Sequence, residues 1–233
     1  MKSIIAGLFI ALGITGSGYL MGSSIKYFKN FDRYVEVKGL SERLVKSDLA
    51  NWQIGFNLSG NELPHVYKDL DSAQQKVIAF LIKQGFDEAE IQKQTISIID
   101  NYANAYSSGI NEKLPRYTAM AGVTVTSKKV DTTVNALQGA NSLVESGVLL
   151  SNNMVTYSYT DLNVIKTAML NEALTHAKKA AQEFANNSNS SIGKIRQAGQ
   201  GLFTIGNISG DYSEPASITK KVRVVTTVQY FLK

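Results

Sequence analysis

The residues that could do chemistry are few and scattered along the chain. Among 233 residues there is no cysteine, and the only histidines are His65 and His176. Disulfides, thiolate metal ligands and cysteine nucleophiles are therefore excluded, and a zinc site would have to rely on carboxylates. His65 stands at a predicted helix start, where a role near the helix cap is expected. His176 lies beside Lys178 and Lys179 within a predicted helix, which favours a solvated or half-buried position over a ligand.

The remaining motifs each lack part of the pattern that their chemistry needs. Gly206-Asn207-Ile208-Ser209-Gly210 has the wrong spacing for a serine nucleophile elbow. Gly199-Gln200-Gly201 lacks the third glycine of a dinucleotide site, and the sequence has no Walker phosphate loop. Asp87-Glu88-Ala89-Glu90 is acidic enough for a cation, but a solvated loop just past Gly85 is the favoured interpretation. We therefore predict a non-enzymatic protein with no catalytic residue, no cofactor and no metal site.

Tyrosines recur in the predicted strands, where they suit sheet packing or a stacking surface for a ligand. They are Tyr102, Tyr106, Tyr117, Tyr157, Tyr159 and Tyr230. The stacking hypothesis gives an alternative function, a periplasmic binding module. Its tyrosine-rich sheet, or a polar loop over 199–216, would hold a small molecule, lipid or peptide.

The N-terminal segment differs from the rest of the chain in composition, because residues 3–25 carry no charge. A bilayer-spanning helix needs about 20 mostly apolar residues, and this run reaches that length. Residues 1–33 are accordingly predicted to form a membrane anchor and a juxtamembrane linker. A cleaved signal peptide and a buried core helix remain as alternatives. The apolar residues of the predicted anchor are Ile4, Ile5, Leu8, Phe9, Ile10, Leu12, Ile14, Leu20 and Met21.

Most of the net positive charge lies at the N-terminal end of the chain. The formal net charge is +5, but residues 1–33 hold four basic residues against one acidic residue, which leaves only +2 for the rest. A basic groove for nucleic acid would need the excess on the folded part, so no nucleic-acid partner is expected. The basic residues Lys26, Lys29 and Arg33 follow the apolar run, and by themselves would favour a cytoplasmic flank there.

Residues 34–233 alternate between strand and helix patterns, which predicts one α+β domain with a mostly antiparallel sheet and helices packed on one face. Gly85 follows the first predicted helix as a C-terminal cap would. A turn is expected over 107–114 and a long polar loop over 199–216. The predicted strands cover 34–39, 52–59, 94–106, 116–127, 154–159, 194–198 and 221–231, and the predicted helices cover 66–84, 131–147 and 161–186.

Several short motifs in this stretch resemble the SIMPL-domain family, the YggE-like group of bacterial envelope proteins. They are an opening strand with glycine, a helix ending in glycine before an acid-Ile-x-Thr turn, a central strand, an alanine-rich helix and a Gly-Lys strand. Here Glu90 takes the place of the acid, and Lys93-Gln94 are inserted before the threonine. The matching positions are Gly39, Gly85, Ile91, Thr95, Tyr117, Glu172, Ala173, Ala177, Gly193 and Lys194.

The resemblance implies an exported protein, with links in some relatives to oxidative-stress defence and to large homo-oligomers, and no agreed catalytic residues. We therefore expect a single inner-membrane span with the domain in the periplasm, or release into the periplasm after cleavage. The expected role is support of envelope integrity or stress tolerance, with the chain itself as partner. The β-branched strand Val222–Phe231 would drive assembly if it lay at a sheet edge.

Overall fold

The computed structural model describes residues 13–18, 21, 33–103, 115–208 and 217–233. The predicted α+β class with antiparallel sheets is confirmed. The strands are β1 (Tyr34–Lys46), β2 (Leu49–Gly60), β3 (Ile91–Lys93), β4 (Ser97–Asp100), β5 (Tyr117–Ser127), β6 (Leu150–Ser158), β7 (Ile192–Gln200), β8 (Thr204–Asn207) and β9 (Thr219–Leu232). The helices are α1 (Leu63–Lys83), α2 (Val130–Gly139), α3 (Asn141–Glu145) and α4 (Leu162–Asn187).

The chain divides into two compact units. The first unit combines the chain up to Arg43 with Asn163–Thr204 and Arg223–Lys233. The second unit combines Leu44–Leu162 with Ile205–Val222. Each unit is therefore built from segments that are distant in the sequence. The domain boundary predicted between residues 33 and 34 stays a prediction.

A five-stranded antiparallel sheet forms the second unit's framework. Its order is β3-β5-β2-β6, and β4 also pairs with β5. Side chains alternate between the two faces of a strand, so Trp52, Ile54 and Phe56 of β2 are buried together on one face. Val123 and Val125 of β5 lie opposite Ile54 and Trp52 in the register and join the same core.

Helix α1 covers this apolar face. Its buried residues recur at steps of three, four or seven, the spacing of one helix side: Val66, Leu70, Val77 and Leu81. Helices α2 and α3 add Ala136 and Leu143 to the same core. Helix α1 ends at Gly85, whose φ of +98° suits a residue without a Cβ. The Phe86 amide then donates to the Leu81 carbonyl at 3.2 Å, which closes the last turn.

Strands β1, β9 and β7, paired in that order, provide the sheet of the first unit. Strand β8, which lies in the second unit from Ile205 onward, also pairs with β9. Helix α4 buries a row of mostly small residues at four-residue spacing: Met169, Ala173, Ala177, Ala181 and Ala185. Ala177 and Ala181 pack in one cluster with Val37 of β1 and Val228 and Tyr230 of β9. The small side chains allow the helix and the strands to approach closely.

Three local predictions are corrected by this architecture. The last strand, β9, lies between β1 and β7 rather than at a sheet edge. The loop predicted over 199–216 contains strand β8, and its residues 209–216 lie outside the described part. Of the strand predicted over 94–106, only β4 is a strand among the described residues, and the separate strand β3 precedes the predicted range; both pair with β5. In addition, the strands form two sheets rather than one.

The N-terminal anchor falls mostly outside the described residues. Residues 13–18 are helical, and Ile14 and Met21 are exposed. The other predicted anchor residues, Ile4, Ile5, Leu8, Phe9, Ile10, Leu12 and Leu20, are not among those described, and neither are Tyr106 and the turn over 107–114. Among the residues that are described, no helix is long and apolar enough to span a membrane.

The tightest approach in the first unit is between Gly39 of β1 and the backbone of α4. A Cβ added to Gly39 would collide with the Ala173 carbonyl oxygen and would lie 2.7 Å from the Ala177 amide nitrogen. Both of these are backbone atoms, which cannot move aside as a flexible side chain can. Glycine is therefore required here by space.

We predict that Gly39→Ala lowers the free energy of unfolding by at least about 2 kcal/mol, because the added methyl group forces β1 and α4 apart. Gly139→Ala is the matched control, since a Cβ there meets only side-chain atoms at 3.6 Å or more. That control should leave stability unchanged or raise it by up to about 1 kcal/mol, since Gly139 is helical. Urea denaturation followed by circular dichroism measures both, and equal effects would contradict the packing explanation.

Candidate functional site

Four family-like positions meet where β1 lies against α4. Gly39 faces the backbone of Ala173 and Ala177, as described above. Glu172, the residue before Ala173, accepts a hydrogen bond from the Ser41 hydroxyl at 2.9 Å. Positions more than 100 residues apart in the sequence therefore form a single strand–helix contact.

Ser41, Glu172 and His176 lie close enough in space to be compared with a catalytic triad, although Ser41 is more than 100 residues from the other two in sequence. In a triad the imidazole bridges the serine and the acid. Here Ser41 bonds directly to the Glu172 carboxylate, and Nδ1 of His176 lies 2.7 Å from the Leu40 carbonyl oxygen instead. Ser41 is also only 1% exposed, so a substrate cannot reach its hydroxyl. These three residues hold β1 on α4 rather than forming a nucleophile.

The acidic turn after α1 is paired with a lysine side chain of the same unit. Lys129 Nζ lies 2.7 Å from a carboxylate oxygen of Asp87 and 3.3 Å from one of Glu90, and it donates to the Gly85 carbonyl at 2.9 Å. The Ser127 hydroxyl donates to the other oxygen of Glu90 at 2.7 Å. An ammonium group thus takes the position that the sequence offered to a metal ion.

Glu90 is the central acceptor of this cluster, because its carboxylate also accepts from the Asp87 amide at 2.9 Å. Burial acts to raise the pKa of Glu90, but the Asp87 amide, the Ser127 hydroxyl and the Lys129 ammonium together lower that pKa below its ordinary value. The hydrogen bonds that Lys129 donates to the carboxylates, first of all to Asp87, raise the pKa of Lys129. Both groups are therefore charged at neutral pH, and the cluster ties the α1–β3 turn to the end of β5.

A buried lysine lies at the β8–β9 pairing. Lys220 shares the buried side of β9 with Val222, and its ammonium donates to Oδ1 of Asn207 at 2.7 Å. Burial lowers the pKa of Lys220. Within the described residues, no group of three or more His, Cys, Asp or Glu side chains is arranged to hold a metal ion. The expected absence of metal and cofactor stays a prediction.

The most exposed strand is β7, which ends the described part of its sheet. Every residue from Lys194 to Gln200 is exposed. The pairing with β9 is irregular up to Gln197 and then regular from Gln197 to Gln200. The irregular half carries the charges Lys194 and Arg196, whereas the regular half carries none. Such an uncharged, regular edge offers unpaired backbone groups to another strand.

Comparison with protein families matches residues 35–230 to SIMPL, described as a protein of unknown function (DUF541). The chain belongs to the SIMPL family. No curated protein matches it.

The other SIMPL motif positions are spread over both units in structural roles. In the second unit, Gly85 ends α1, Ile91 pairs with Val125, Thr95 is exposed, and Tyr117 lies under the Arg116 guanidinium at 5.0 Å. In the first unit, Gly193 lies against the backbone of Phe231, and Lys194 is exposed on β7. The motifs therefore mark turns and close contacts instead of converging on one reactive centre.

Sequence reasoning missed Ser127, Lys129 and the Asn207–Lys220 pair. Lys129 stands 39 residues from Glu90, so only the three-dimensional pairing brings the two together. For Lys220, a signal was present in the sequence. The alternation of Val222, Val224 and Val228 continues back to position 220, which places a lysine on the apolar side of the strand.

We predict that Glu90→Gln destabilises the SIMPL domain by about 1 kcal/mol at neutral pH, since a charged acceptor is lost from a partly solvated cluster. Because the folded-state pKa of Glu90 is lowered, its contribution is complete above the ordinary value of 4.5 and disappears as pH falls through the folded-state pKa. Wild type and variant should therefore converge in acid.

Urea denaturation at pH values of about 7 and about 3 measures this difference. Glu88→Gln is the control, because Glu88 is exposed in the same turn and makes no hydrogen bond to a described residue. A stability difference between wild type and Glu90→Gln that is the same at both pH values would contradict the assigned role of the Glu90 charge.

Proposed function

We propose that this SIMPL protein is a non-enzymatic protein of the bacterial envelope that assembles as a homo-oligomer through strand β7. The N-terminal segment would hold it in the inner membrane with the domain in the periplasm, where the assembly supports envelope integrity or oxidative-stress tolerance. The observation that carries the assembly is the uncharged and exposed edge formed by Gln197–Gln200.

The hydrogen-bond pattern of β7 supports pairing with a second strand. The Gly201 amide donates to the Val225 carbonyl at 2.9 Å, which fixes the alternation along the strand. The amides of Gly199 and Gln197 therefore point toward β9, and those of Ala198 and Gln200 point outward. Another copy of β7 could accept these outward amides and extend the sheet.

A non-enzymatic role is supported by how the titratable groups are used. Glu172, Glu90 and Lys129 are each engaged in contacts that join two segments of the chain. The two serine hydroxyls that lie closest to carboxylates, those of Ser127 and Ser41, are both buried. These side chains therefore stabilise contacts within the fold. A catalytic group would instead have to be accessible to a substrate.

The alternative, a binding module built on stacked tyrosines, loses three of its candidate rings among the described residues. Tyr157 is buried in the core of the second unit, and Tyr230 is buried in that of the first. The hydroxyl of Tyr159 donates to the Asp161 carbonyl at 3.0 Å. A stacking surface would need several exposed rings on one face.

We predict that Ala198→Pro weakens self-association at least tenfold, since proline removes an outward amide without touching a bond to β9. Ala198→Ser keeps the amide and should associate as wild type does. Light scattering of the full chain in a mild detergent gives the particle mass for each. A monomeric wild-type chain, or unchanged assembly of the proline variant, would contradict assembly through β7.

The membrane anchor predicts an intact N-terminus in the membrane fraction. Ile10→Arg places a charge in the apolar run at a cost of about 3 kcal/mol and should move the protein out of that fraction, whereas Ile10→Leu should not. Terminal sequencing and fractionation of expressing cells make this measurement. A soluble wild-type form that begins near Gly18 or Ser24 would show cleavage, and a cytoplasmic signal from a reporter fused to the domain would contradict the topology.

A further inference from the structure

The five-stranded sheet of the second unit ends at β6, a strand of nine residues. Among the described residues, β6 pairs with β2 and with no other strand. The other end of the sheet is divided between β3 and β4, which are three and four residues long. One end of this sheet is therefore short and interrupted, whereas the other is a long strand.

The hydrogen bonds of β2 determine which backbone groups of β6 point away from the sheet. The Asn57 amide donates to the Leu149 carbonyl at 3.4 Å, so the odd residues of β2 bond to the β6 side. In the register, those odd residues lie opposite the even residues of β6. The amide and carbonyl groups of the odd residues of β6, from Asn153 to Tyr157, therefore point outward from the edge.

Strand β6 has the composition of a strand with neighbours on both sides. Residues 146–160 carry no charge, and the two strands of this sheet that are paired on both sides, β2 and β5, carry none either. By contrast, Lys38 lies on β1, Lys93 on β3 and Arg196 on β7. Charged side chains on an edge strand oppose the addition of another strand, and β6 lacks this protection.

An apolar side chain at the middle of β6 is also exposed. Met154 is 51% exposed, and Leu149, immediately before the strand, is 65% exposed. Side chains of neighbouring strands pack against each other across the strand pair. A strand added to β6 would therefore cover the Met154 side chain while its backbone bonds to the outward amides and carbonyls.

We infer that β6 pairs antiparallel with β6 of a second copy of this chain, so that the two sheets become continuous. A two-fold contact sets the strand against itself, and a charge near its middle would lie beside the same charge of the other copy. Strand β6 meets this condition over its whole length. It also offers no charge by which a strand of a different protein could be selected.

This contact is separate from that of β7, because the two strands belong to different sheets. Pairing through one two-fold contact alone gives a dimer. A chain that uses both β6 and β7 can bind two neighbours, so the assembly can grow beyond a dimer.

The test uses the full chain in the Ala198→Pro background, in which β7 does not contribute to assembly. Light scattering in a mild detergent should give the mass of a dimer. Adding Met154→Lys should weaken this dimer at least about tenfold, because two lysines then meet near the centre of the paired strands.

Met120→Lys is the matched control. Met120 is 40% exposed and lies on the same side of the sheet as Met154, but on β5, which has neighbours on both sides. This variant should leave the dimer unchanged. Mixing Met154→Lys with Met154→Glu should restore the dimer, since opposite charges then lie side by side. Thermal melts of each variant confirm folding.

A monomeric Ala198→Pro chain, a dimer that Met154→Lys leaves intact, or equal effects of Met154→Lys and Met120→Lys would overturn the inference. Failure of the mixed lysine and glutamate variants to dimerise would overturn the pairing of β6 with itself. The two assembly proposals fail separately. An assembly that Ala198→Pro leaves unchanged contradicts β7 alone, and the two lysine variants still decide the role of β6.

Discussion

The alternation of side chains along β2 is the constraint on which the second unit depends. Strand β2 is paired on both sides, so each residue must face either the helices or the opposite side of the sheet. Burying Trp52, Ile54 and Phe56 contributes about 2 kcal/mol each. A slip of one residue would expose all three and bury Asn and Gln in their place. The register that makes the core therefore also fixes which amides and hydroxyls of β2 and β5 lie on the opposite side of the sheet.

In the first unit the corresponding constraint is the small distance between β1 and α4. A glycine on the strand and alanines at four-residue spacing on the helix let two backbones touch, and the Ser41–Glu172 hydrogen bond holds them in register. These contacts give a physical reason for the resemblance of Gly39, Glu172, Ala173 and Ala177 to one family pattern. The same contacts explain why none of these four positions is a candidate catalytic residue, since each one is used in packing the strand against the helix.

Helices and strands in which apolar residues recur at a regular spacing could be predicted from the sequence. Helix α1 and strands β2 and β5 follow patterns of apolar residues that their burial satisfies. Pairing order could not be predicted, because the spacing of apolar residues within a strand carries no information on its neighbours. The sequence therefore left open whether β9 lay at a sheet edge. Strand β8 is only four residues long and lacks an apolar period.

Because β9 lies between β1 and β7, assembly by strand addition to this sheet would have to use β1 or β7. Strand β1 presents charges on its exposed positions, and Glu36 and Glu42 bond with Gln229 and Arg223 of β9. Charge along an edge opposes pairing with an identical strand. Strand β7 differs along its length, since irregular pairing accompanies Lys194 and Arg196, while Gln197–Gln200 are regular and neutral. Of the two ends, only this short segment combines open backbone groups with the absence of features that block strand addition.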